Sequence, residues 1–113
     1  MSFRTRVYMN PDVENVRGEN TLAVWDARWP QWVDDLLEAG KLTQSRSDNF
    51  PSLYRGLASD ILPMLPPDRG TYPARIFKPE VHWERINGCP PDAVLGIEIW
   101  DQGFGEQWNQ KPT

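Results

Sequence analysis

The sequence predicts an α+β domain: an antiparallel sheet of three to five strands with two helices packed on one face. Three observations carry that expectation. Period-two alternation marks the N-terminal run and the stretch from 80 to 101. A single apolar stripe of helical spacing lies between 29 and 37. Proline and glycine punctuate the segments between them. A chain of 113 residues is expected to form one domain, 1–113, with a Gly-rich aromatic tail at 102–113.

The first strand follows from Phe3, Thr5, Val7 and Met9 alternating with Arg4, Arg6 and Tyr8, and Asn10-Pro11-Asp12 ends it. The polar run that follows reads as a loop. Thr21 to Ala27 fits two templates. Alternation puts Ala23, Trp25 and Ala27 on one face, whereas helical spacing stacks Leu22, Trp25 and Trp29, and the reading leans to a short helix or turn. Pro30 to Ala39 is the clearest helix, because Trp29, Trp32, Val33, Leu36 and Leu37 fall at i, i+3, i+4, i+7 and i+8. Pro30 suits a first turn and Gly40 a C-terminal cap. The opposite stripe, Gln31, Asp34, Asp35 and Glu38, reads as a solvated face.

Leu42 to Asn49, rich in Ser and charge, reads as a connector. A second helix is expected from Pro51 to Leu62, with Leu53, Tyr54, Leu57, Ala58 and Ile61 as its apolar side. Gly56 inside it marks close packing on a neighbour. Five prolines between Pro63 and Pro79 predict an extended segment, with Asp68-Arg69-Gly70 as a turn and Tyr72–Phe77 as a short edge strand.

The stretch from Glu80 to Asp101 reads as a hairpin. Glu80 to Ile86 and Ala93 to Trp100 both alternate, and Asn87-Gly88-Cys89-Pro90-Pro91-Asp92 between them reads as a loop. Burying Val81 and Trp83 with Leu95, Ile97 and Ile99 fixes the parity, since a one-residue slip would part them. Glu80, His82 and Glu84 then share the other face with Glu98 and Trp100. In the simplest register His82 lies opposite Glu98, within reach of a carboxylate–imidazole contact. The expected core is Val7, Trp32, Val33, Leu36, Leu37, Leu53, Leu57, Ile61, Trp83, Leu95, Ile97 and Ile99.

Charge narrows the function classes. Sixteen acids against twelve bases give a net charge of −4, which argues against a phosphate-tracking surface, so no nucleic acid is expected as partner. Arg4 and Arg6 read as a solvated strand face. No apolar stretch approaches a membrane span and no charged segment followed by an apolar run opens the chain, so a cytoplasmic location stands as the default, with no membrane partner. A single Cys makes no internal disulfide, and one His with one Cys gives no zinc pattern, so neither metal nor cofactor is expected. No phosphate-binding glycine loop and no nucleophile elbow occur. Cys89 reads as an inert thiol.

Six tryptophans are the compositional oddity, since Trp serves cores, interfaces and ligand pockets alike. The favoured expectation is a small acidic, Trp-rich binding or regulatory protein that engages a protein partner or a cationic or aromatic small ligand, with His82, Glu84, Glu98 and Trp100 as binding residues. The alternatives are a small acid–base enzyme whose catalytic pair is His82 and Glu98, and a structural accessory subunit. A two-fold homodimer is expected as cover for a Pro-bounded edge and for Phe104 and Trp108.

Overall fold

The computed structural model describes residues 3–12, 19–46, 51–65 and 77–101. The chain builds one six-stranded antiparallel sheet in the order β3-β4-β6-β1-β2-β5. Its strands are β1 (Phe3–Met9), β2 (Thr21–Ala27), β3 (Leu42–Arg46), β4 (Ser52–Leu57), β5 (Phe77–Val81) and β6 (Val94–Asp101). The helices are short: α1 (Gln31–Glu38), α2 (Ala58–Ile61) continued by a 3-10 turn over Leu62–Met64, and α3 (Trp83–Asn87). Three to five strands with two helices on one face is therefore corrected to six strands and three helical pieces. Among the described residues no helix is long and apolar enough to cross a membrane.

Two elements form where the pattern places them. In β1, Thr5 and Val7 are buried while Arg4 is exposed and Arg6 half-buried. In α1, Val33 is buried and Trp32, Leu36 and Leu37 pack partly against the core. Pro30 caps the start in an extended conformation, with Val33 N–H donating to its carbonyl at 2.9 Å. At the other end Gly40 N–H donates to Leu37 O at 3.0 Å and Lys41 N–H to Leu36 O at 2.9 Å. This double closure needs a left-handed residue, and Gly40 supplies it at φ 80°.

Four elements differ from the expectation. Thr21–Ala27 is a strand, pairing with β1 on one side and β5 on the other. The segment read as a connector is edge strand β3. The helix expected over Pro51–Leu62 is strand β4 followed by α2. Leu53 and Leu57 are four apart, a spacing that serves a helix stripe and one face of a strand equally, and pairing between β3 and β6 decides for the strand. Gly56 does sit against close neighbours: a Cβ there would fall 2.5 Å from Leu42 Cδ2 and 2.9 Å from Lys41 O.

The largest correction is the hairpin. The run from Glu80 to Ile86 is not one strand: β5 ends at Val81, and α3 begins at Trp83. Gly88, at φ −89°, closes that helix, donating to Glu84 O at 3.2 Å, so Asn87-Gly88 makes no hairpin turn. Strand β6 pairs instead with β1 and β4, and so stitches the β1–β2 and β3–β4 pairs into one sheet. Trp83, expected in the core, is 38% exposed, and Leu57 is 43% exposed. Of the edge strand expected over Tyr72–Phe77 only Phe77 is described, as the first residue of β5, and the Asp68-Arg69-Gly70 turn and the 102–113 tail lie outside the described residues.

The core lies on one face of the sheet. Val7, Val33, Ile61, Leu95, Ile97 and Ile99 are fully buried, each burial contributing about 1.5–3 kcal/mol. Trp25 on β2 stacks on Trp32 of α1 with centroids 6.5 Å apart, and Phe3 meets Trp29 edge-on at 5.2 Å. Both outermost strands carry an extra residue. Gln44 and Arg46 pair with the adjacent Tyr54 and Leu53, which bulges β3 at Ser45. Glu80 and Phe77 pair with Val24 and Asp26, which bulges β5, where Pro79 also lacks an N–H.

Candidate functional site

Alternation assigns the opposite face of the sheet. Strand β1 gives it Arg4, Arg6 and Tyr8. Strand β6 gives Gly96, Glu98 and Trp100, and β4 gives Leu53, Arg55 and Leu57. The register sets Arg6 opposite Glu98, Arg4 opposite Trp100 and Tyr8 opposite Gly96.

Arg6 is the hub. Its Nη1 donates to Glu98 Oε1 at 3.1 Å, its Nε to Thr21 Oγ1 at 2.8 Å and its Nη2 to Asn20 Oδ1 at 2.8 Å. Asn20 is itself anchored, donating through Nδ2 to Met9 O at 2.8 Å. The guanidinium lies 4.5 Å from the centroid of the Tyr8 ring, a cation–π contact. Gly96 leaves room for that ring, since a Cβ there would fall 2.5–2.8 Å from Tyr8 atoms. Burial pushes the Tyr8 phenol up from its ordinary range and the Glu98 charge pushes it further, against the pull of Arg6 and Arg55.

Glu98 uses both oxygens. Oε1 accepts from Arg6, and Oε2 accepts from Trp100 Nε1 at 3.0 Å. Beside them Arg4 forks onto Asp26, Nε to Oδ1 at 2.9 Å and Nη2 to Oδ2 at 3.3 Å. The Asp26 hydrogen bond holds the Arg4 guanidinium above its usual range. At the far end of the face Leu57 pairs with Val94, and both are exposed. The Arg55–Asp12 ion pair, at 2.6 Å, stands between two shallow clefts that share Val94 as a wall.

The structure divides the expected site. Glu98 and Trp100 share the open face as the alternation implied. His82 does not lie opposite Glu98. It precedes α3 beyond β5, with three strand intervals of about 4.8 Å each between β5 and β6. Its Nε2 instead meets Glu80 Oε2 at 2.7 Å. Glu84 is exposed on α3. Among the described residues no group of three or more His, Cys, Asp or Glu is placed to hold a metal.

Sequence reasoning missed Arg6 and Tyr8 as members of this site. Their alternation was legible, but only the pairing of β1 with β6 brings them to Glu98 and Trp100. Comparison of the chain with protein-family models, with characterised proteins and with solved structures finds no match, so the geometry of this face is what bears on function.

Proposed function

We propose that the protein is a small binding or regulatory module that engages a protein partner through the open face of its sheet. One observation carries this reading. Four large apolar side chains are left exposed among the described residues, and three of them, Leu57, Val94 and Trp100, project from the same face of the adjacent strands β4 and β6. Single exposed apolar residues are ordinary, but several on one side of a sheet favour an interaction surface. Leu57 and Val94 at one end of the face and Trp100 at the other flank the Arg6–Glu98 pair, so the face offers apolar side chains on both sides of a charged centre. Trp is the residue type most enriched at interface hot spots.

Two features favour the face over other routes. The bulges on β3 and β5, with Pro79, blunt both edges against strand addition. A cationic small ligand at Glu98 would have to share a carboxylate whose charge is already paired with Arg6 and whose second oxygen accepts from the Trp100 indole. The acid–base alternative loses its pair, since His82 and Glu98 stand apart.

A photo-crosslinking residue placed at position 100 or 57 tests the reading in extracts of the native cells, with positions 35 and 38 on the exposed side of α1 as controls. One and the same protein is expected to be captured from 100 and 57 and not from 35 or 38. Equal capture from all four positions, or none from 100 and 57, rejects the open face as the interface. Capture of a second copy of this chain would identify the partner as itself.

A further inference from the structure

We infer that Arg6 is a positioning residue for Trp100, acting through Glu98 to hold the exposed indole in one orientation on the proposed binding face. The inference rests on the reading of that face as an interface. It adds what makes the face specific.

Trp100 is 44% exposed, on the outer side of a strand whose alternate residues are fully buried. An indole so exposed is held less firmly by packing than a core side chain, and a partner that docks on it bears the cost of ordering whatever freedom it keeps. Here its Nε1 donates to Glu98 Oε2 at 3.0 Å. That carboxylate is two residues away on the same strand face, and left alone it would itself be a mobile, hydrated side chain. Arg6 fixes it from the neighbouring strand through Oε1.

The guanidinium can do so because it is held on its other sides. Thr21 and Asn20 accept from its Nε and Nη2, and the Tyr8 ring lies against it. Thr21 and Asn20 are buried; Thr21 is the first residue of β2 and Asn20 immediately precedes it. The order therefore runs from a buried strand end, through a planar fork that makes charge-assisted bonds, to a carboxylate, and from there to an exposed ring. The Arg6 and Glu98 side chains, 22% and 20% exposed, are sheltered enough for these bonds to hold against water.

The same molecule provides a control. Trp29 Nε1 donates to Asp34 Oδ2 at 2.9 Å, an indole–carboxylate bond five residues apart in sequence that involves neither Arg6 nor Glu98. A general loss of stability would loosen both bonds, whereas loss of the Arg6 anchor should loosen one.

The experiment follows the indole Nε1–H resonances of the isolated protein by NMR, with Trp100→Phe and Trp29→Phe used to assign them, and measures proton exchange with water. In Arg6→Met the Trp100 indole is expected to exchange about ten-fold faster, as for loss of a hydrogen bond to a charged group. Its resonance should move toward that of a free indole, while Trp29 stays unchanged. Glu98→Ala should give the same change, and Arg6→Lys should restore part of the protection. The inference is overturned if Arg6→Met leaves Trp100 unchanged while Glu98→Ala releases it, because the carboxylate then needs no anchor. It is also overturned if Trp29 and Trp100 accelerate together, because Arg6 then serves only general stability, and if neither variant alters Trp100. The readout needs no partner, so failure of the crosslinking experiment and failure of this one are separate results.

Discussion

Strands β1 and β6 present two surfaces built from alternate residues of the same few peptides, and different forces hold them. On one side Val7, Leu95, Ile97 and Ile99 are sealed beneath helices. On the other, Arg6, Glu98 and Trp100 touch solvent and are fastened by a chain of hydrogen bonds. The first surface is secured by the amount of apolar area removed from water, which depends little on orientation. The second is secured by directed bonds whose strength depends on angle and on both partners being present. A sheet that spends one side on stability is free to shape the other for contact.

The sharpest way to break that contrast is to truncate neighbours on opposite sides. Ile97→Ala should cost about 2–5 kcal/mol, whereas Leu53→Ala, on the open face beside Glu98, should cost about 1 kcal/mol or less. Urea unfolding of the two variants checks this, and equal losses would mean that the open face is packed like the core.

The two strand glycines provide a second comparison. Gly56→Ala on the core side should cost about 1–3 kcal/mol, because its Cβ meets Leu42 and the backbone carbonyl of Lys41. Gly96→Ala meets only the far end of the Tyr8 ring, which can swing outward, so about 1 kcal/mol or less is expected. Thermal unfolding ranks the pair, and a larger loss for Gly96→Ala than for Gly56→Ala would show that the Tyr8 ring cannot move aside.

Thr5 sharpens the contrast from the other direction. It is 1% exposed on the core face, and its Oγ1 has no hydrogen-bond partner. Replacing it by Val should raise stability by about 1 kcal/mol, since an unsatisfied hydroxyl is exchanged for a methyl group. A lower denaturation midpoint for Thr5→Val would show that the hydroxyl is satisfied after all.

The smallest effect concerns the tyrosines, one on each side. Burial raises Tyr54 and Asp34 adds to it, against a hydrogen bond from Ser52. Burial and Glu98 raise Tyr8. A phenol whose folded pKa exceeds the unfolded value contributes stability that is fully present below about pH 10 and is lost as pH rises through the folded pKa. Urea unfolding followed from pH 8 upward should show that alkaline decline, and Tyr8→Phe or Tyr54→Phe should each flatten it. A decline unaltered by either substitution would place its origin elsewhere.

These comparisons also mark where the sequence was readable. The faces of β1, α1 and β6 followed from periodicity, because for each of them alternation or a stripe was the whole signal. Partnership was not readable. Val81 and Trp83 alternate in phase with Ile97, yet Val81 pairs with Ala23, and Trp83 opens a helix. Nothing local distinguishes a strand's nearest neighbour in sequence from one far away, so the adjacent run was given to β6 when β1 and β4 were its partners. The site inherited that error: Glu98 and Trp100 were placed correctly on one face, but their cation came from Arg6 and not from His82.

The position of β6 has a consequence for how the protein is made. A ribosome delivers the chain from the N-terminus, so β1–β2 and β3–β4 emerge early, each a two-stranded ribbon with no lasting stability alone. The strand that unites them is the last of the six to leave the exit tunnel. Until then the inward sides of both ribbons have no common layer to pack into. Folding is thus expected to be slow for the number of residues involved, because its decisive pairings join strands far apart in sequence, and dependent on protection of the nascent ribbons while they wait.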